Sequence, residues 1–185
     1  MNTICSKIIT KNGHSTKELG RKLGSLIADN LNSGNISSNN IAIAMYGDLG
    51  AGKTTFIQGF GRGLGVSEEY YITSPTYNII NEYPVYLSDS YKSSNTIPKI
   101  KLTLYHIDLY RIGSPDELEY IGFDDVASSD NCVIIIEWPD IISLYNKKII
   151  KFDMDVTIKI DKDFNRDISL TAYGLESINL LKQVA

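Results

Sequence analysis

Several features that would assign this sequence to a class of protein are scarce or missing. Only two cysteines occur in 185 residues, Cys5 and Cys132. They lie far apart and match no metal-ligand spacing, so we expect both to stay reduced and Cys132 to be buried at the start of an apolar run. No apolar run approaches the length of a membrane span, and the first residues do not have the pattern of a secretory signal. We therefore expect a soluble cytoplasmic protein.

Positive charge is also limited. The formal net charge is −4 and the isoelectric point is about 5.2, which disfavours charge-driven binding to a nucleic-acid backbone. Any role near nucleic acid is expected to depend on a protein partner. Arginine occurs only at positions 21, 62, 111 and 166, whereas small-molecule kinases usually neutralise the transferred phosphoryl group with several arginines on a lid. A kinase is therefore a less favoured alternative.

The composition is that of a globular protein with a real core, at 43% hydrophobic and 22% charged residues. The length suits one domain, and we expect a single domain over residues 1–185. The range Tyr86–Lys99 is longer than we expect for a simple connection. Within it, Ser88–Thr96 is the most polar part of the chain and is predicted to form an exposed insertion.

The first half of the chain predicts a helix, a buried strand and a second helix. Ser15, as N-cap, and Glu18 form a candidate capping box before an amphipathic helix. A loop over Asn32–Asn40 is expected to end this helix, and Ile41–Tyr46 is predicted to be a strand buried on both faces. The second helix is expected to begin near Gly52, and to fray or end where glycines accumulate at positions 59, 61, 63 and 65.

The second half predicts strands of two kinds. Apolar runs that each lead into an acid predict buried strands at Lys101–Ile107 and Val133–Ile136, and Tyr70–Tyr86 is expected to hold a loop and an edge strand. Alternating apolar residues predict a half-buried strand over 152–160, a turn over Asp161–Asp167 and a partner strand at Ile168–Leu170. The expected fold class is α/β: a P-loop NTPase fold with a single, mostly parallel central sheet flanked by helices and antiparallel strands on the C-terminal side.

A phosphate-binding loop follows the first buried strand. The pattern G-x-x-x-x-G-K-[ST] is matched in full by Gly47, Asp48, Leu49, Gly50, Ala51, Gly52, Lys53 and Thr54. Glycines let consecutive backbone amides turn toward phosphate oxygens, and the helix that follows adds the positive end of its dipole. Lys53 is predicted to bridge the β- and γ-phosphates, Thr54 to bind Mg²⁺ and Thr55 to reach the α-phosphate. The stretch at 146–149 lacks the aspartate of an N-K-x-D guanine motif, so ATP is the expected nucleotide.

Two acids are candidates to complete this site. Asp108 and Glu137 each follow a predicted strand, and the carboxyl ends of parallel strands meet at the nucleotide crevice. Taken alone, an acid in this position is often a helix cap or a loop carboxylate. Beside a P-loop, both become predicted catalytic or metal-binding residues.

The motifs together resemble one family. Five segments of the sequence, taken in order, resemble the TsaE (YjeE) family of bacterial tRNA-modification ATPases. They are GDLGAGKTT from Gly47, SPTYNIINEY from Ser74, YHIDLYRI from Tyr105, EYIGFDD from Glu119 and IEWPD from Ile136. The resemblance implies a compact α/β ATPase that is weak alone. It would act with the TsaD–TsaB complex, which transfers a threonylcarbamoyl group to the tRNA adenosine beside the anticodon.

The resemblance also implies roles for individual residues. Thr76 corresponds to a switch-type threonine that faces the γ-phosphate and the metal, Asp108 to the essential strand-end aspartate and Glu137 to the glutamate near magnesium. Thr54 and Glu137 are the predicted metal ligands, although which of the two acids contacts the metal directly stays open. His106 is interpreted as structural, and Trp138 as either a packing or a functional aromatic. A nucleotide-gated binding module with little turnover is the alternative function.

Overall fold

The computed structural model describes residues 3–36, 40–87, 102–145 and 150–184. The predicted insertion at Ser88–Thr96, and most of the longer range around it, lies outside the described residues. The helices and strands are β1 (Thr3–Thr10), α1 (Gly13–Asn32), β2 (Asn40–Tyr46), α2 (Lys53–Leu64), β3 (Ile80–Val85), β4 (Leu102–Asp108), α3 (Glu117–Tyr120), α4 (Phe123–Ala127), β5 (Cys132–Glu137), a 3₁₀ helix (Pro139–Leu144), β6 (Met154–Ile160), β7 (Arg166–Tyr173) and α5 (Leu175–Val184).

One seven-stranded sheet in the order β1-β7-β6-β2-β5-β4-β3 organises these elements. Its centre is parallel: β2 pairs in parallel with β5 and β6, and β4 pairs in parallel with β5. The outer pairs β1–β7, β6–β7 and β3–β4 are antiparallel. This arrangement confirms the predicted α/β P-loop fold, including the antiparallel strands on the C-terminal side and an edge strand at β3.

Two apolar layers cover the sheet. One layer packs α1, α2 and α5 on one face, and the other packs α3, α4 and the 3₁₀ helix on the opposite face. Strand β5 faces both, because Val133 and Ile135 belong to the first layer while Cys132, Ile134 and Ile136 belong to the second. A strand covered on both faces reads as a continuous apolar run, which is why β5 was predictable and why Cys132 is buried as expected.

The cap of α1 differs from the prediction. Asn12, not Ser15, is the N-cap: its side chain accepts a hydrogen bond from Ser15 N at 2.9 Å, and Ser15 Oγ accepts one from Asn12 N at 3.2 Å. The capping box therefore begins three residues earlier, with Ser15 at its third helical position in place of Glu18. Asn and Ser are both effective in this motif. Glu18 bonds instead to Arg21 on the exposed face.

The glycines of α2 serve helix packing. A Cβ atom added at Gly59 would overlap the carbonyl oxygen of Lys17, and one added at Gly63 would overlap that of Arg21. Helix α2 therefore lies directly against the backbone of α1 and ends at Leu64, with Gly65 as its C-cap at φ 115°. The helix ends within the predicted stretch, but the earlier glycines do not break it.

Several elements are absent from the sequence-based prediction. Strand β1, the 3₁₀ helix and the helices α3, α4 and α5 were not predicted. The predicted partner strand is present as β7, but it starts at Arg166, which makes the turn before it shorter than the predicted 161–167. Within the described ranges, no helix is both long and apolar enough to cross a membrane.

Candidate functional site

The loop between β2 and α2 curls at the C-terminal edge of the parallel strands. Gly47, Gly50 and Gly52 have φ values of 143°, 77° and 110°, a region that glycine adopts without a steric cost. At Gly47 a Cβ would also approach the carbonyl oxygen of Ile158 to 2.5 Å. Gly52 caps α2 without a side-chain hydrogen bond, so the first amides of the helix are available to an anion.

Lys53 is held inside this loop. Its Nζ donates to the carbonyl oxygens of Gly47 at 2.8 Å and Asp48 at 3.1 Å, and lies 3.7 Å from Oε2 of Glu137. The side chain is 5% exposed. A phosphate group entering the loop would take the place of these backbone oxygens around the ammonium group.

Glu137 sits at the end of β5, with three partners around its carboxylate. Besides Lys53, its Oε1 lies 2.9 Å from Nε2 of His106 and 3.5 Å from Oγ1 of Thr54. When Glu137 is ionised it can only accept, so His106 donates to it from Nε2 and not from Nδ1. That Nδ1 atom is buried and has no hydrogen-bond partner among the described residues. His106 therefore touches a predicted site acid directly, which sequence reasoning missed.

Asp108 ends β4 and binds the loop that carries Thr76. Its Oδ2 accepts from Ser74 Oγ at 2.9 Å and from Thr76 Oγ1 at 3.0 Å, and its Oδ1 accepts from Tyr110 N at 3.1 Å. The two hydroxyls are themselves 2.7 Å apart. Ser74 is a second residue that sequence reasoning did not single out. The serine and threonine of S-P-T are two residues apart, and this spacing is the signal that could have indicated a shared partner.

The sheet register brings the two acids together. Asp108 and Glu137 are direct partners in the parallel pairing of β4 with β5. With the loop they border a cavity of about 260 Å³, lined by Leu49, Gly50, Gly52, Lys53, Thr54, Thr55, Ser74, Thr76, Asp108, Tyr110, Glu137 and Trp138. Of the remaining predicted loop residues, Gly47 and Asp48 supply backbone oxygens to Lys53, and Ala51 is buried beneath the loop.

A larger cavity, of about 760 Å³, lies beside the 3₁₀ helix. It is bordered by Pro139, Tyr145, Phe152 and neighbouring residues. In the described part of the chain, this cavity contains none of the predicted site residues, whereas the smaller one contains both acids, Lys53 and the three threonines.

Comparisons of the sequence with known proteins agree on one family. A family model described as "Threonylcarbamoyl adenosine biosynthesis protein TsaE" matches residues 10–168. Proteins named tRNA threonylcarbamoyladenosine biosynthesis protein TsaE are similar in sequence. The protein from Bacillus subtilis is 35% identical over 132 residues, covering 71% of this chain and 70% of the relative. The protein from Borreliella burgdorferi is 41% identical over 97 residues, covering 52% of this chain and 58% of the relative.

The fold is also similar to a solved structure. The crystal structure of YdiB from Bacillus subtilis superimposes with a TM-score of 0.63 at 25% sequence identity, and the alignment covers 100% of this chain and 96% of that one. The similarity therefore extends beyond the region of the loop to the outer strands of the sheet.

Proposed function

This chain belongs to the TsaE family of threonylcarbamoyl adenosine biosynthesis proteins, and we propose that it is the magnesium-dependent, ATP-binding and ATP-hydrolysing subunit of that tRNA modification. In this proposal it acts in the cytoplasm with a TsaD–TsaB complex, on tRNAs that read codons beginning with A. Family membership places the chain in threonylcarbamoyladenosine biosynthesis. The nucleotide, the metal and the partners are the steps that the proposal adds.

The proposal rests mainly on one observation: a buried lysine and two buried acids lie together around the phosphate-binding loop. Lys53, Asp108 and Glu137 are each no more than 5% exposed, and all three border the same cavity. Burying three charged groups together is costly unless they bind one another or a ligand. A triphosphate with its metal is a ligand that matches both signs of charge.

The donor set fits magnesium. Mg²⁺ prefers oxygen ligands, and beside a nucleotide it usually takes one or two protein ligands and fills its other positions with phosphate oxygens and water. Thr54 Oγ1 and Glu137 Oε1 lie 3.5 Å apart, with Asp108 on the adjacent strand. Within the described ranges, no group of three or more His, Cys, Asp or Glu side chains is placed to hold a metal by itself. When bound, the metal neutralises charge on the phosphate oxygens.

The chain's own residues would carry out the remaining steps. Lys53 exchanges the carbonyl oxygens of Gly47 and Asp48 for β- and γ-phosphate oxygens and offsets their charge. The amides at the start of α2 hold the phosphates in place. Asp108 or Glu137 accepts a hydrogen bond from the attacking water and aligns it with the γ-phosphorus.

A second function, that of a nucleotide-gated binding module, is supported by a separate observation. Thr76 is hydrogen-bonded to Asp108, and the next residue, Tyr77, is 84% exposed with the guanidinium of Arg111 over its ring at 4.5 Å. A γ-phosphate that reorients Thr76 would move this exposed pair, and a partner could detect the change. Turnover would then be incidental.

Calorimetric titration with Mg·ATP tests the binding step. We expect heat and thermal protection for the wild type, and neither for Lys53→Ala, with circular dichroism showing that the variant is folded. Asp108→Asn should still fold and bind, but should hydrolyse ATP poorly. If the wild type shows no heat and no protection, the proposed nucleotide site is wrong.

Phosphate release separates the two functions. It is measured for the wild type and Glu137→Gln, with and without TsaD–TsaB. The ATPase proposal expects that the complex stimulates release by the wild type and that the variant loses this stimulation. If the variant supports tRNA modification as well as the wild type without releasing phosphate, the binding-module function is correct instead.

A further inference from the structure

Ser74 and Thr76 share one oxygen atom of Asp108. Ser74 Oγ donates to Asp108 Oδ2 at 2.9 Å, and Thr76 Oγ1 donates to the same atom at 3.0 Å. The two hydroxyl oxygens are themselves within hydrogen-bond distance, at 2.7 Å. Each hydroxyl has a single proton, so only two of these three contacts can be hydrogen bonds at one time. If one hydroxyl moves away, the other can still donate to the carboxylate.

The backbone just before Ser74 is fixed to the body of the protein. Ile72 is 3% exposed, and its carbonyl oxygen accepts a hydrogen bond from Gln58 Nε2 on α2 at 3.0 Å. Thr73 N donates to the hydroxyl oxygen of Tyr83 on β3 at 3.3 Å. Helix α2 and strand β3 therefore both hold the segment that leads into Ser74.

Thr76, in contrast, lies in a turn that projects from this segment. The turn is closed by a hydrogen bond from Ile79 N to the carbonyl oxygen of Pro75. Pro75 is buried, whereas Tyr77, directly after Thr76, is 84% exposed. Ser74 precedes the turn and is not part of it. A rotation of the turn can therefore reorient Thr76 without moving Ser74.

The second oxygen of Asp108 is held by the backbone. Asp108 Oδ1 accepts a hydrogen bond from Tyr110 N at 3.1 Å, and the residue is 5% exposed. A carboxylate oxygen can accept two hydrogen bonds. With Ser74 on Oδ2 and the amide on Oδ1, the plane of the carboxylate is fixed, and each oxygen can still accept from a water molecule in the cavity that Asp108 lines.

We propose that Ser74 is a positioning residue, whose hydroxyl keeps the Asp108 carboxylate in place when Thr76 turns from it to the metal and the γ-phosphate. The inference rests on the proposed function, because it needs a nucleotide that reorients Thr76. Without Ser74, this movement would take both hydroxyl donors away from Oδ2. A buried carboxylate oxygen that loses its donors is destabilised, and the group can rotate away from the attacking water. Ser74 thus acts through Asp108.

Steady-state ATP hydrolysis, measured with and without TsaD–TsaB, and calorimetric binding of Mg·ATP test this assignment. For Ser74→Ala we expect kcat to fall roughly tenfold or more, with the Kd for Mg·ATP at the wild-type value. Ser74→Thr keeps the hydroxyl and should restore most of kcat. Ser67→Ala is the matched control, because Ser67 is a half-buried serine between α2 and Ser74 whose Oγ accepts from Glu69 N at 3.3 Å. Its kcat should equal that of the wild type.

Double variants show which residue Ser74 acts through. In Asp108→Ala, adding Ser74→Ala should lower the remaining rate little, because the group that Ser74 orients is already absent. In Thr76→Val, adding Ser74→Ala should keep its full effect, because Oδ2 then depends on Ser74 alone. Single-turnover experiments with labelled ATP measure the rates of these slow variants.

Each outcome supports or overturns the inference. A wild-type kcat in folded Ser74→Ala overturns it, as does a loss confined to Kd, or a Ser74→Thr variant as slow as Ser74→Ala. An effect of Ser74→Ala that disappears in Thr76→Val would show that the serine orients the threonine instead, which also overturns it. If Ser74→Ala does not fold, Ser74→Cys is used: its thiol is a weak donor, and a wild-type kcat counts against the inference. Absence of ATP hydrolysis by the wild type would instead contradict the proposed function.

Discussion

The indole ring of Trp138 lies over the ammonium group of Lys53, with 4.5 Å between Nζ and the ring centroid. Trp138 follows Glu137 directly and adopts a left-handed backbone conformation with φ 58°, which is rare for a bulky residue and costs conformational energy. Its ring also lies 5.1 Å from the ring of Tyr110. An aromatic residue held in this way forms part of the wall of the cavity that contains the phosphate-binding lysine.

Because of this contact, we expect the intrinsic fluorescence of the protein to change when nucleotide binds. Trp138 is the only tryptophan in the chain, so its emission reports on one place. Mg·ATP should draw Lys53 away from the ring and toward phosphate, and the emission should change in a saturable way. Lys53→Met is the control, which should show no change over the same titration. Constant wild-type emission at nucleotide concentrations that give full calorimetric heat would show that Lys53 keeps its position under Trp138.

His106 is expected to act as a positioning residue for Glu137. Replacement by Leu removes the 2.9 Å hydrogen bond to Glu137 Oε1 and should lower kcat for ATP hydrolysis roughly tenfold or more, with little change in KM, as for other residues that orient a catalytic group. Leu also removes the buried Nδ1 atom, which has no hydrogen-bond partner among the residues that the structure describes, and this limits the cost to folding.

The matched variant for this prediction is His106→Gln. Its amide nitrogen can donate to the same oxygen, so activity should recover in part. Steady-state kinetics of both variants test this prediction, and thermal unfolding checks that the variants are folded. If Gln and Leu lower kcat equally, the hydrogen bond is not what matters, and the residue serves packing alone.

The elements that the sequence predicted well are those whose signals are local. The loop at Gly47 is defined by consecutive residues, and β5 is buried on both faces, so its apolar run is continuous. Strand β1 was missed because its register partner is β7, near the other end of the chain, and its own burial is slight except at Thr10. Pairing with a distant strand leaves little trace in the sequence of either one.

The same reasoning explains the site. The placement of Lys53 and the two acids around one cavity was predictable, because each residue lies at the end of an apolar strand or within a defined motif. The contact of His106 with Glu137 depends on how β4 aligns with β5, and the contact of Ser74 with Asp108 depends on how the loop before β3 returns to the end of β4. Neither is determined by spacing within one segment, although His106 and Asp108, two residues apart, could have been placed on one strand face.

Gly59 is expected to be essential for the packing of α1 on α2. Gly59→Ala would improve helix propensity, but its methyl group would meet the carbonyl oxygen of Lys17, which is part of a helix backbone and cannot move aside. Overpacking of this kind costs about 1–3 kcal/mol, more than the propensity gain of about 1 kcal/mol. Urea denaturation measures the difference. Gly113→Ala is the control, since among the described residues its methyl group would contact only Glu117 Oε1, at 3.5 Å. Equal stability of the two variants would contradict close helix contact.

Cys132 should be chemically silent in the folded protein. Burial, with the nearby charge of Asp130, raises the pKa of its thiol to about 11, whereas Cys5 is exposed. At pH 8 a thiol reagent should modify one cysteine in the native protein and two in denaturant. Modification of two cysteines in the native state would contradict the burial of Cys132.

The same pKa shift predicts a dependence of stability on pH. The folded protein keeps the Cys132 proton more tightly than the unfolded chain, so this contribution is fully present below pH 9 and is lost as the pH rises to about 11. The wild type should therefore lose roughly 2 kcal/mol more than Cys132→Ala over that range. Urea denaturation of both proteins at pH 8.5 and pH 11 checks this, and parallel losses would contradict it.

The antiparallel pairing of β1 with β7 joins residues 3–10 to residues 166–173. During synthesis, β1 cannot find its partner until almost the whole of this sequence has emerged, so it must remain unpaired while the central parallel strands form. Closing so long a loop is entropically expensive and slow. The outer edge of the sheet is therefore completed last, after the strands that carry the phosphate-binding loop and the two acids.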